Sequence, residues 1–403
     1  MPTPASLDLT RARADTPGTA HCVHLNNAGA ALPPTPVLDA VKRYLDLEAV
    51  SGGYEAAMLE AEQNHSVYTR VATLIGAGCH EVAICESATV AWDRVFYSMP
   101  FQAGDRVITA QAEYGANYVA FLQQQRRLGI HIDVAPCDGH GAVDVEALER
   151  MLDDRVKLIA ITWIPTNGGL VNPAAEIGAV ARRHGIPYLL DACQAVGQMP
   201  VDVQALGCDM LTATGRKFLR APRGTGFLYV RNELLQALEP WTIDHAAAAW
   251  VAPDRYQLRK DALRFETWEK SIALRRGLAA AVDYALDLGL DPIRERAWGL
   301  AEDLRERLRS LRGVQVHDSG AVRCAIVSFS VPGADANKLA TALRVRGFNL
   351  SVSDPSSTLL DSRARQLPPL LRASPHYYNS ETESDAFIRA LHDLIAVPVG
   401  LRV

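Results

Sequence analysis

Four side chains capable of acid–base or covalent chemistry occur close together near the middle of the sequence. Asp191 and Gln194 follow one short apolar run, and Thr214 and Lys217 follow the next. Short continuous apolar runs bounded by Gly and Pro are typical of buried parallel strands. Polar groups placed where such strands end lie at the edge where open α/β sheets bind ligands. We therefore expect these four side chains to face one crevice.

The same residue types meet the requirements of pyridoxal phosphate (PLP). This cofactor needs a lysine for its Schiff base and a carboxylate beside its protonated pyridine nitrogen. Lys217 and Asp191 would supply them, and Thr214 is a hydroxylic residue suited to the phosphate. The alternative makes Lys217 a surface lysine in a glycine-rich turn. Lysine is scarce in this chain, and other lysines lack the setting of Lys217. Lys42 lies in a helical pattern, and Lys157 lies at the start of a predicted strand.

The segment resembles the class V (cysteine desulfurase-like) aminotransferase family. In that family an Asp-x-x-Gln segment precedes a [Ser/Thr]-x-x-Lys segment at the spacing seen here, with Lys217 lying 26 positions after Asp191. The resemblance covers roughly residues 22–400. It implies a fold-type I PLP-dependent transferase fold, with a large α/β domain built on a mostly parallel seven-stranded sheet and a smaller C-terminal α+β domain.

The resemblance also divides the chain into three parts. Residues 1–20 are expected to form an N-terminal arm and residues 21–270 the large PLP-binding domain. Residues 271–403 would form the small C-terminal domain, on which the N-terminal segment could pack.

A predicted strand at residues 82–85 is followed by Glu-Ser-Ala-Thr and a helical pattern. A strand, small polar residues and a helix start together make an anion site, because free N–H groups point outward there. The resemblance places the cofactor phosphate at this point, which implies Ala88 and Thr89, together with Thr214, as phosphate contacts. The alternative makes Thr89 an ordinary N-cap.

Two further segments are expected to contact the cofactor ring. Tyr114, in Gln-Ala-Glu-Tyr-Gly-Ala-Asn, matches the position whose ring stacks on the pyridine ring in related enzymes, where it adds stacking energy. The alternative is a core tyrosine. The resemblance also places a polar side chain after the apolar strand 156–164, near the phenolic oxygen that Gln194 should bond. Thr166 or Asn167 could fill that position, and the choice stays open.

Three residues are expected to bind substrate. Arg372, in Arg-Ala-Ser-Pro-His-Tyr-Tyr-Asn, matches the arginine that grips the substrate carboxylate through a bidentate pair; the alternative is a solvent arginine. The resemblance puts the loop 24–34 near the substrate, which implies Asn27, although this loop could also initiate a helix. Tyr54 could reach an active site, this chain's or a partner's, or be a packed loop tyrosine.

The predicted chemistry centres on Lys217. It would exchange with the substrate amine and then act as general base for the α-proton. Asp191 would keep the ring an electron sink. Arg216 stands where desulfurases usually carry histidine. A permanent cation there could help to bind the cofactor phosphate or the substrate, but it cannot shuttle protons.

One segment departs from the family pattern. Arg264-Phe265-Glu266 fits, but Thr267-Trp268-Glu269 replaces a small-residue segment whose threonine reaches the partner subunit's phosphate. Whether Glu266-Thr267-Trp268 contacts the partner's cofactor is therefore left open.

Desulfurases also need a nucleophilic cysteine on the loop before the arginine strand. Residues 350–362 form that loop and contain no cysteine, and Cys324 comes too early. Ser353, Ser356 and Ser357 occupy the loop, where they could cap a turn or bond a leaving group. We therefore expect bond breaking at Cα or Cβ without a protein persulfide.

Within the family, four segments resemble C–S lyases of ergothioneine biosynthesis and isopenicillin N epimerase-like enzymes; they are SGGYEAA, AEYGAN, RKFLRAPRG and RASPH. The resemblance implies a homodimer with sites at the subunit interface and β-elimination from an S-substituted cysteine or its sulfoxide. Transamination, epimerisation, or decarboxylation with oxidative deamination of a similar amino acid are the alternatives. A non-catalytic regulator or scaffold of the same fold is another.

Composition limits the other functional classes. The chain has 403 residues, of which 48% are hydrophobic, and this suffices for a large core. A net charge of −5 provides no basic field for nucleic acid.

The seven cysteines are scattered without metal-ligand spacing, so we expect reduced thiols and no metal. The N-terminus lacks an apolar signal core and no run reaches membrane-spanning length, which predicts a cytoplasmic protein.

Overall fold

The computed structural model describes residues 7–396. Its strands are β1 (Val23–His24), β2 (Val82–Cys85), β3 (Arg106–Ala110), β4 (His131–Ala135), β5 (Val156–Thr162), β6 (Tyr188–Asp191), β7 (Met210–Thr214), β8 (Gly226–Val230), β9 (Ala248–Ala252), β10 (Arg255–Leu258), β11 (Gln315–Val316), β12 (Val327–Ser330), β13 (Phe348–Asn349), β14 (Ser351–Ser353) and β15 (Leu370–Ala373). Its α-helices are α1 (Leu9–Ala14), α2 (Thr35–Ser51), α3 (Gly53–Leu59), α4 (Ala61–Ile75), α5 (Ala88–Phe96), α6 (Gly115–Leu128), α7 (Val145–Arg150), α8 (Ala174–His184), α9 (Val203–Leu206), α10 (Asn232–Leu235), α11 (Ile272–Leu288), α12 (Leu290–Ser310), α13 (Ala336–Val345), α14 (Leu359–Ala364) and α15 (Glu381–Ala396).

A seven-stranded sheet forms the centre of the molecule, in the order β2-β8-β7-β6-β5-β3-β4. The strands run parallel except β8, which is antiparallel to both neighbours. The predicted mostly parallel seven-stranded sheet is confirmed. Because parallel strands end at the same edge, the segments that follow β5, β6 and β7 meet on one side of the sheet.

Both faces of this sheet are covered, which explains the unbroken apolar runs in its strands. Along β5, Ile159 and Ile161 belong to one hydrophobic core, and Leu158 and Ala160 belong to a second core on the opposite face. Alternate residues of a strand point to opposite faces, so each strand supplies both cores. Helices pack over both cores and hold the sheet edge in place.

A second, antiparallel sheet lies near the C-terminus, in the order β11-β12-β15-β14. The N-terminal part of the chain contacts C-terminal segments beside this sheet. The strand β1 pairs in parallel with β13, and Arg13 bonds Glu383 of α15 at 2.7 Å. The helix α11 packs instead against α2 and α4. The divisions after residues 20 and 270 stay predictions.

Two segments differ from what their sequence predicts. The helical pattern of residues 55–76 predicts one helix, but the backbone turns at Glu60 and separates α3 from α4. No Gly or Pro marks that break, so the sequence gives no local signal for it. The sequence of residues 240–262 predicts an irregular crossing segment, yet these residues contain the antiparallel hairpin β9–β10. Its mostly exposed residues lack the alternation by which a strand is usually recognised.

Among residues 7–396, no helix combines the length and the apolar character needed to cross a bilayer.

Candidate functional site

Asp191 is the last residue of β6 and lies beside Thr162 of β5 in the sheet register. Its carboxylate is buried and held from two sides. The side-chain amide of Asn117 donates to Oδ2 at 3.0 Å, and the backbone N–H of Cys193 donates to Oδ1 at 2.9 Å. Two donors fix the plane of the carboxylate, so its remaining acceptor capacity has a defined direction.

A second buried carboxyl group, Glu113, stands behind this arrangement. It accepts hydrogen bonds from Thr109 Oγ1 at 3.0 Å, the Thr162 N–H at 3.0 Å, the Tyr114 N–H at 3.0 Å and Asn117 Nδ2 at 2.9 Å. Burial raises the pKa of Glu113 above its ordinary value, although its hydrogen bonds with Thr162 and Asn117 oppose that effect. Asn117 thus bridges two carboxyl groups, because its Nδ2 donates to both Glu113 and Asp191.

Glu113 and Asn117 were missed in the sequence, where only the tyrosine between them was singled out. A signal exists: the two residues lie four positions apart, a spacing that brings side chains together at a helix. That signal alone does not identify the partner, because the strand that ends at residue 191 is distant in sequence.

Replacing Asn117 with alanine tests this bridge. The change leaves the carboxylate of Asp191 short of one charged hydrogen bond, which is worth about 1.5–3 kcal/mol. We expect the affinity for PLP to fall by about 10-fold or more, as measured by titrating the cofactor into the apoprotein. Gln125→Ala, at an exposed position of the same helix, is the control. Unchanged PLP affinity in Asn117→Ala would show that the bridge does not support the carboxylate.

Lys217 lies in a tight turn just after β7. The backbone N–H of Arg220 donates to the carbonyl of Lys217 at 2.9 Å, and Arg220 adopts a left-handed conformation with φ of 63°. The turn packs directly on Gly197, where a Cβ would lie 2.2 Å from the backbone nitrogen of Leu219. Only glycine permits that approach, so the contact with Gly197 fixes the backbone of the turn that carries the lysine.

The surroundings of Lys217 favour its neutral amine. Burial lowers the pKa of Lys217 below the ordinary lysine value, and the neighbouring cations Arg216 and Arg372 lower it further. The electrostatic influence of Cys193 and Asp191 opposes this shift. A neutral amine can attack a carbonyl carbon and accept a proton, which are the two roles predicted for this lysine.

The phosphate turn begins α5. Ser87 is its N-cap, and its hydroxyl accepts from the Val90 N–H at 3.2 Å. The alternative that Thr89 is the N-cap is therefore wrong, because Ser87 already fills that position. Thr89 is exposed on the first turn. The first-turn N–H groups of Ala88 and Thr89 have no acceptor within an α-helix, so they are available to an anion.

Strand β8 brings this turn close to the lysine segment. A Cβ on Gly226 would lie 2.9 Å from the backbone nitrogen of Ala88, so a side chain here would push the strand and the turn apart. Thr214, at the end of the neighbouring β7, is buried, and its hydroxyl donates to the Thr225 carbonyl at 3.4 Å. This hydroxyl and the start of α5 therefore lie on either side of β8.

Arg372 is buried in β15, so the alternative of a solvent arginine is wrong. Its Nη1 donates to the backbone oxygen of Thr166 at 2.8 Å and to Oγ1 of Thr166 at 2.9 Å. Its Nε has no hydrogen-bond partner among the described residues. Burial, followed by the charge of Arg216, lowers the pKa of Arg372 to about 10. The guanidinium thus keeps a donor for an anionic ligand.

Gln194 links this arginine to the N-terminal loop. Its Nε2 donates to the Ala28 carbonyl at 3.1 Å and approaches Thr166 Oγ1 at 3.5 Å. Its Oε1 is buried without a partner among the described residues. An unsatisfied buried oxygen is unusual in a native structure, and it indicates that a ligand group belongs there.

Arg216 joins the same loop from the lysine side. Its Nη1 donates to the carbonyl of Gly29, and its own carbonyl accepts from the Ala31 N–H at 2.9 Å. Loop 26–31, Gln194, Thr166 and Arg372 thereby form one hydrogen-bonded wall, with Arg216 at the end opposite Arg372. We call this set of residues the arginine wall.

Tyr114 immediately precedes α6 and is partly buried. Its backbone N–H donates to Glu113, so the network that holds Asp191 also positions this residue. Burial raises the pKa of the Tyr114 phenol, and the nearby Cys193 and Asp191 raise it further. The tyrosine is therefore a neutral ring beside the carboxylate.

The three remaining predicted residues differ in how their side chains are engaged, and Oδ1 of Asn167 is buried with no hydrogen-bond partner among the described residues. Asn27 is fully buried: its amide donates to Ser374 O at 2.8 Å, and its Oδ1 accepts from Tyr378. Asn167 donates to Thr358 Oγ1 at 2.9 Å, so its amide nitrogen faces a C-terminal loop. Tyr54 is 74% exposed on α3, so the alternative of a packed loop tyrosine is wrong.

The groups left available suit PLP. A fixed carboxylate, an amine with a lowered pKa, a helix start with free N–H groups and a partly buried aromatic ring lie around one crevice. The orphaned atoms Gln194 Oε1 and Arg372 Nε are an acceptor and a donor with no use in the protein alone. This donor set matches the phosphate, ring and amino-acid adduct that such a site must hold.

Comparison with known proteins agrees with this geometry. The family model for Aminotransferase class-V matches residues 23–387. The chain belongs to the class-V aminotransferase family. Enzymes of this family depend on PLP, and the chain is therefore a PLP-dependent enzyme.

Similar relatives carry desulfurase names. A probable cysteine desulfurase of Xylella fastidiosa (strain 9a5c) is 32% identical over 401 residues, covering 96% of each chain. A cysteine desulfurase of Yersinia pestis (strain Pestoides F) is 32% identical over 397 residues, covering 95% of this chain and 97% of the relative. The apo structure of a cysteine desulfurase from Thermococcus onnurineus NA1 superposes with a TM-score of 0.90 at 26% identity, covering 97% and 98%. The predicted fold-type I architecture is confirmed.

Proposed function

We propose that this class-V enzyme is a C–S lyase that performs β-elimination on an S-substituted cysteine or its sulfoxide. The observation that carries the proposal is a set of intact cofactor-binding residue types beside a loop that offers serine where a desulfurase needs a thiol. The relatives' names support a sulfur-containing amino acid as substrate. The overall change is S-substituted cysteine plus water giving a thiol, pyruvate and ammonia; a sulfoxide would release a sulfenic acid in place of the thiol.

The loop 350–362, which carries Ser356 and Ser357, lies against the site. A Cβ on Gly115 would be 3.0 Å from the carbonyl oxygen of Ser356, so this loop touches the residue next to Tyr114. Asp354 accepts from the Ser356 N–H at 2.8 Å through its side chain and from the Ser357 N–H at 3.0 Å through its carbonyl. These contacts support the interpretation of Ser356 and Ser357 as turn residues.

Cys193 and Cys324 are poorly suited to accept sulfur. Cys193 adjoins Asp191, and burial, followed by the charge of Asp191, raises the pKa of its thiol well above the ordinary value. Cys324 is buried, and burial raises its pKa to about 12. A sulfur acceptor must attack as a thiolate, so neutral thiols in these positions are poor acceptors.

Three residues of the chain would act directly on the cofactor and the substrate. PLP, when bound, supplies the electron sink that makes the Cα proton acidic. Lys217 would hold the cofactor and accept the Cα proton at Nζ, while Arg372 would orient the substrate through its carboxylate. Asp191 would hold the ring nitrogen in its charged form. As the Cβ–S bond breaks, its electron pair leaves with sulfur, so no protein group has to take the sulfur.

Residues further from the reacting atoms would hold the cofactor. Ala88, Thr89 and Thr214 would bind the phosphate, and the ring of Tyr114 would lie over the cofactor. Gln194 and Thr166 would bond groups near the phenolic oxygen; Asn167 is the weaker candidate because its amide nitrogen is engaged elsewhere.

Product analysis tests the proposal. The enzyme is incubated with free cysteine and, separately, with a bulky S-substituted cysteine. We expect little sulfide from the first and pyruvate together with the free thiol from the second. Lys217→Ala protein gives the background rate. Trapping a persulfide on any of the seven cysteines at the rate of turnover would overturn the proposal, and a keto acid that retains the sulfur substituent would point to transamination.

A homodimer with its sites at the interface is part of the proposal. Val50, Tyr54, Met58 and Leu59 lie around α3 with 84%, 74%, 71% and 70% of their surfaces exposed. Such an apolar patch is typical of a surface that another chain covers. Sedimentation at the mass of one chain would contradict this assembly.

A cytoplasmic location is likewise proposed, since all seven cysteines are unpaired.

A further inference from the structure

We propose that Arg216 binds a second anionic group of the substrate, so that the enzyme prefers cysteine S-conjugates whose S-substituent carries a carboxylate. This inference rests on the proposed function and narrows its substrate class. Arg372 would take the α-carboxylate, and Arg216 would take the distal one.

The backbone and side chain of Arg216 are both tied to the N-terminal loop. Its carbonyl accepts from the Ala31 N–H at 2.9 Å, and its guanidinium donates through Nη1 to Gly29. These contacts direct the side chain toward loop 26–31. The cofactor phosphate is expected at the start of α5, and no contact of Arg216 with that turn is seen among the described residues. The geometry therefore favours a substrate group over the phosphate.

The arginine wall connects Arg216 to the expected carboxylate site. Loop 26–31 continues through the 3.1 Å bond between Ala28 and Gln194 to Thr166, which holds Arg372 at 2.8 Å and 2.9 Å. The two guanidinium groups thus stand at the ends of one continuous hydrogen-bonded surface. Gln194, which is part of this surface, has a buried Oε1 with no hydrogen-bond partner among the described residues.

The charges of the two arginines are not balanced within the described part of the chain. Among residues 7–396, neither Arg216 nor Arg372 forms an ion pair, whereas the buried Arg275 and Arg305 pair with Glu266 at 2.8 Å and Asp318 at 2.6 Å. Arg220, which is buried without a carboxylate, differs because all three of its nitrogens donate to protein oxygens.

One substrate carboxylate can neutralise only one of the two cations. An uncompensated guanidinium beside a bound ligand favours a ligand that carries a second negative charge, through a charge-assisted hydrogen bond. A histidine at this position would provide that charge only when protonated, while arginine provides it at every working pH. The position before the lysine is therefore a determinant of substrate charge.

A matched pair of ligands tests the inference. S-(2-carboxyethyl)cysteine and S-(2-carbamoylethyl)cysteine have nearly the same shape and differ in the charge of the distal group. With the wild-type holoenzyme we expect kcat/KM to favour the carboxylate by about 10- to 100-fold, the range for one charged hydrogen bond. In Arg216→Gln the ratio should fall to about one. Arg223→Gln, on an exposed position of the same segment, is the control and should keep the ratio.

Two binding measurements separate the possible outcomes. Spectral titration of the holoenzyme gives Kd for both ligands whether or not a thiol is released, so the charge preference can be seen even if the elimination proposal fails. PLP titration of apo Arg216→Gln should give an affinity close to that of the wild type. No preference in the wild type, or a preference that survives Arg216→Gln, would overturn the inference. A 10-fold loss of PLP affinity with an unchanged ligand ratio would also overturn it, because Arg216 would then serve the phosphate.

Discussion

Lys217→Ala should lower turnover by about 10³-fold or more, because it removes both the amine that holds the cofactor and the base that accepts the Cα proton. Borohydride treatment of the wild type should fix PLP to residue 217, detectable by mass spectrometry. The variant should show neither the fixed cofactor nor the absorbance of the lysine-bound form. Lys157→Ala, on an exposed strand position, should behave like the wild type. A reducible linkage that persists in Lys217→Ala would refute the assignment.

The pH dependence follows from the environment of the lysine. Burial lowers the pKa of Lys217, and Arg216 contributes in the same direction. The neutral amine that acts as base is therefore present at a lower pH than for an ordinary lysine. The acid limb of the activity profile should lie below the ordinary lysine range. Removing the positive charge in Arg216→Gln should raise the pKa of Lys217 and move that limb to higher pH.

Arg372→Ala should lower kcat/KM for amino-acid substrates by roughly 10²-fold, since losing a charge-assisted bidentate pair costs about 3 kcal/mol. PLP content should remain that of the wild type, because the arginine bonds Thr166 and not the expected phosphate turn. Steady-state kinetics together with the cofactor absorbance provide both measurements.

Two variants sharpen the interpretation of this arginine. Arg372→Lys keeps a charge without the planar pair of donors, so its loss should be intermediate. Arg389→Ala, on an exposed face of α15, is the control. If Arg372→Ala retained wild-type kinetics, the carboxylate role would have to be abandoned.

The central sheet and the residues at its edge could be predicted from the sequence because their signals are local. Apolar runs ending in polar residues identified β6 and β7, and therefore placed Asp191 and Lys217 at the ends of adjacent strands. Strand ends of a parallel sheet share an edge whatever the detailed packing. That geometric rule explains why the residue pair was found without knowledge of any contact.

The supporting network could not be predicted in the same way. Glu113 accepts from the backbone of Thr162, 49 positions away, and such pairings depend on strand order rather than on local pattern. The N-cap was assigned to Thr89 as an alternative because Ser, Ala and Thr are adjacent and only the backbone geometry selects Ser87. The break at Glu60 has no composition signal at all.

The arginine wall joins loop 26–31, near the start of the chain, to Arg372, near its end, and this has a consequence for biosynthesis. The amide of Asn27 bonds the carbonyl of Ser374, 347 positions later, and β1 completes its pairing only with β13. The ribosome must therefore release almost the whole chain before loop 26–31 can take its place, although the central sheet can form earlier. Truncated chains should retain secondary structure but lack an ordered ligand site, so a competent enzyme arises only from complete translation.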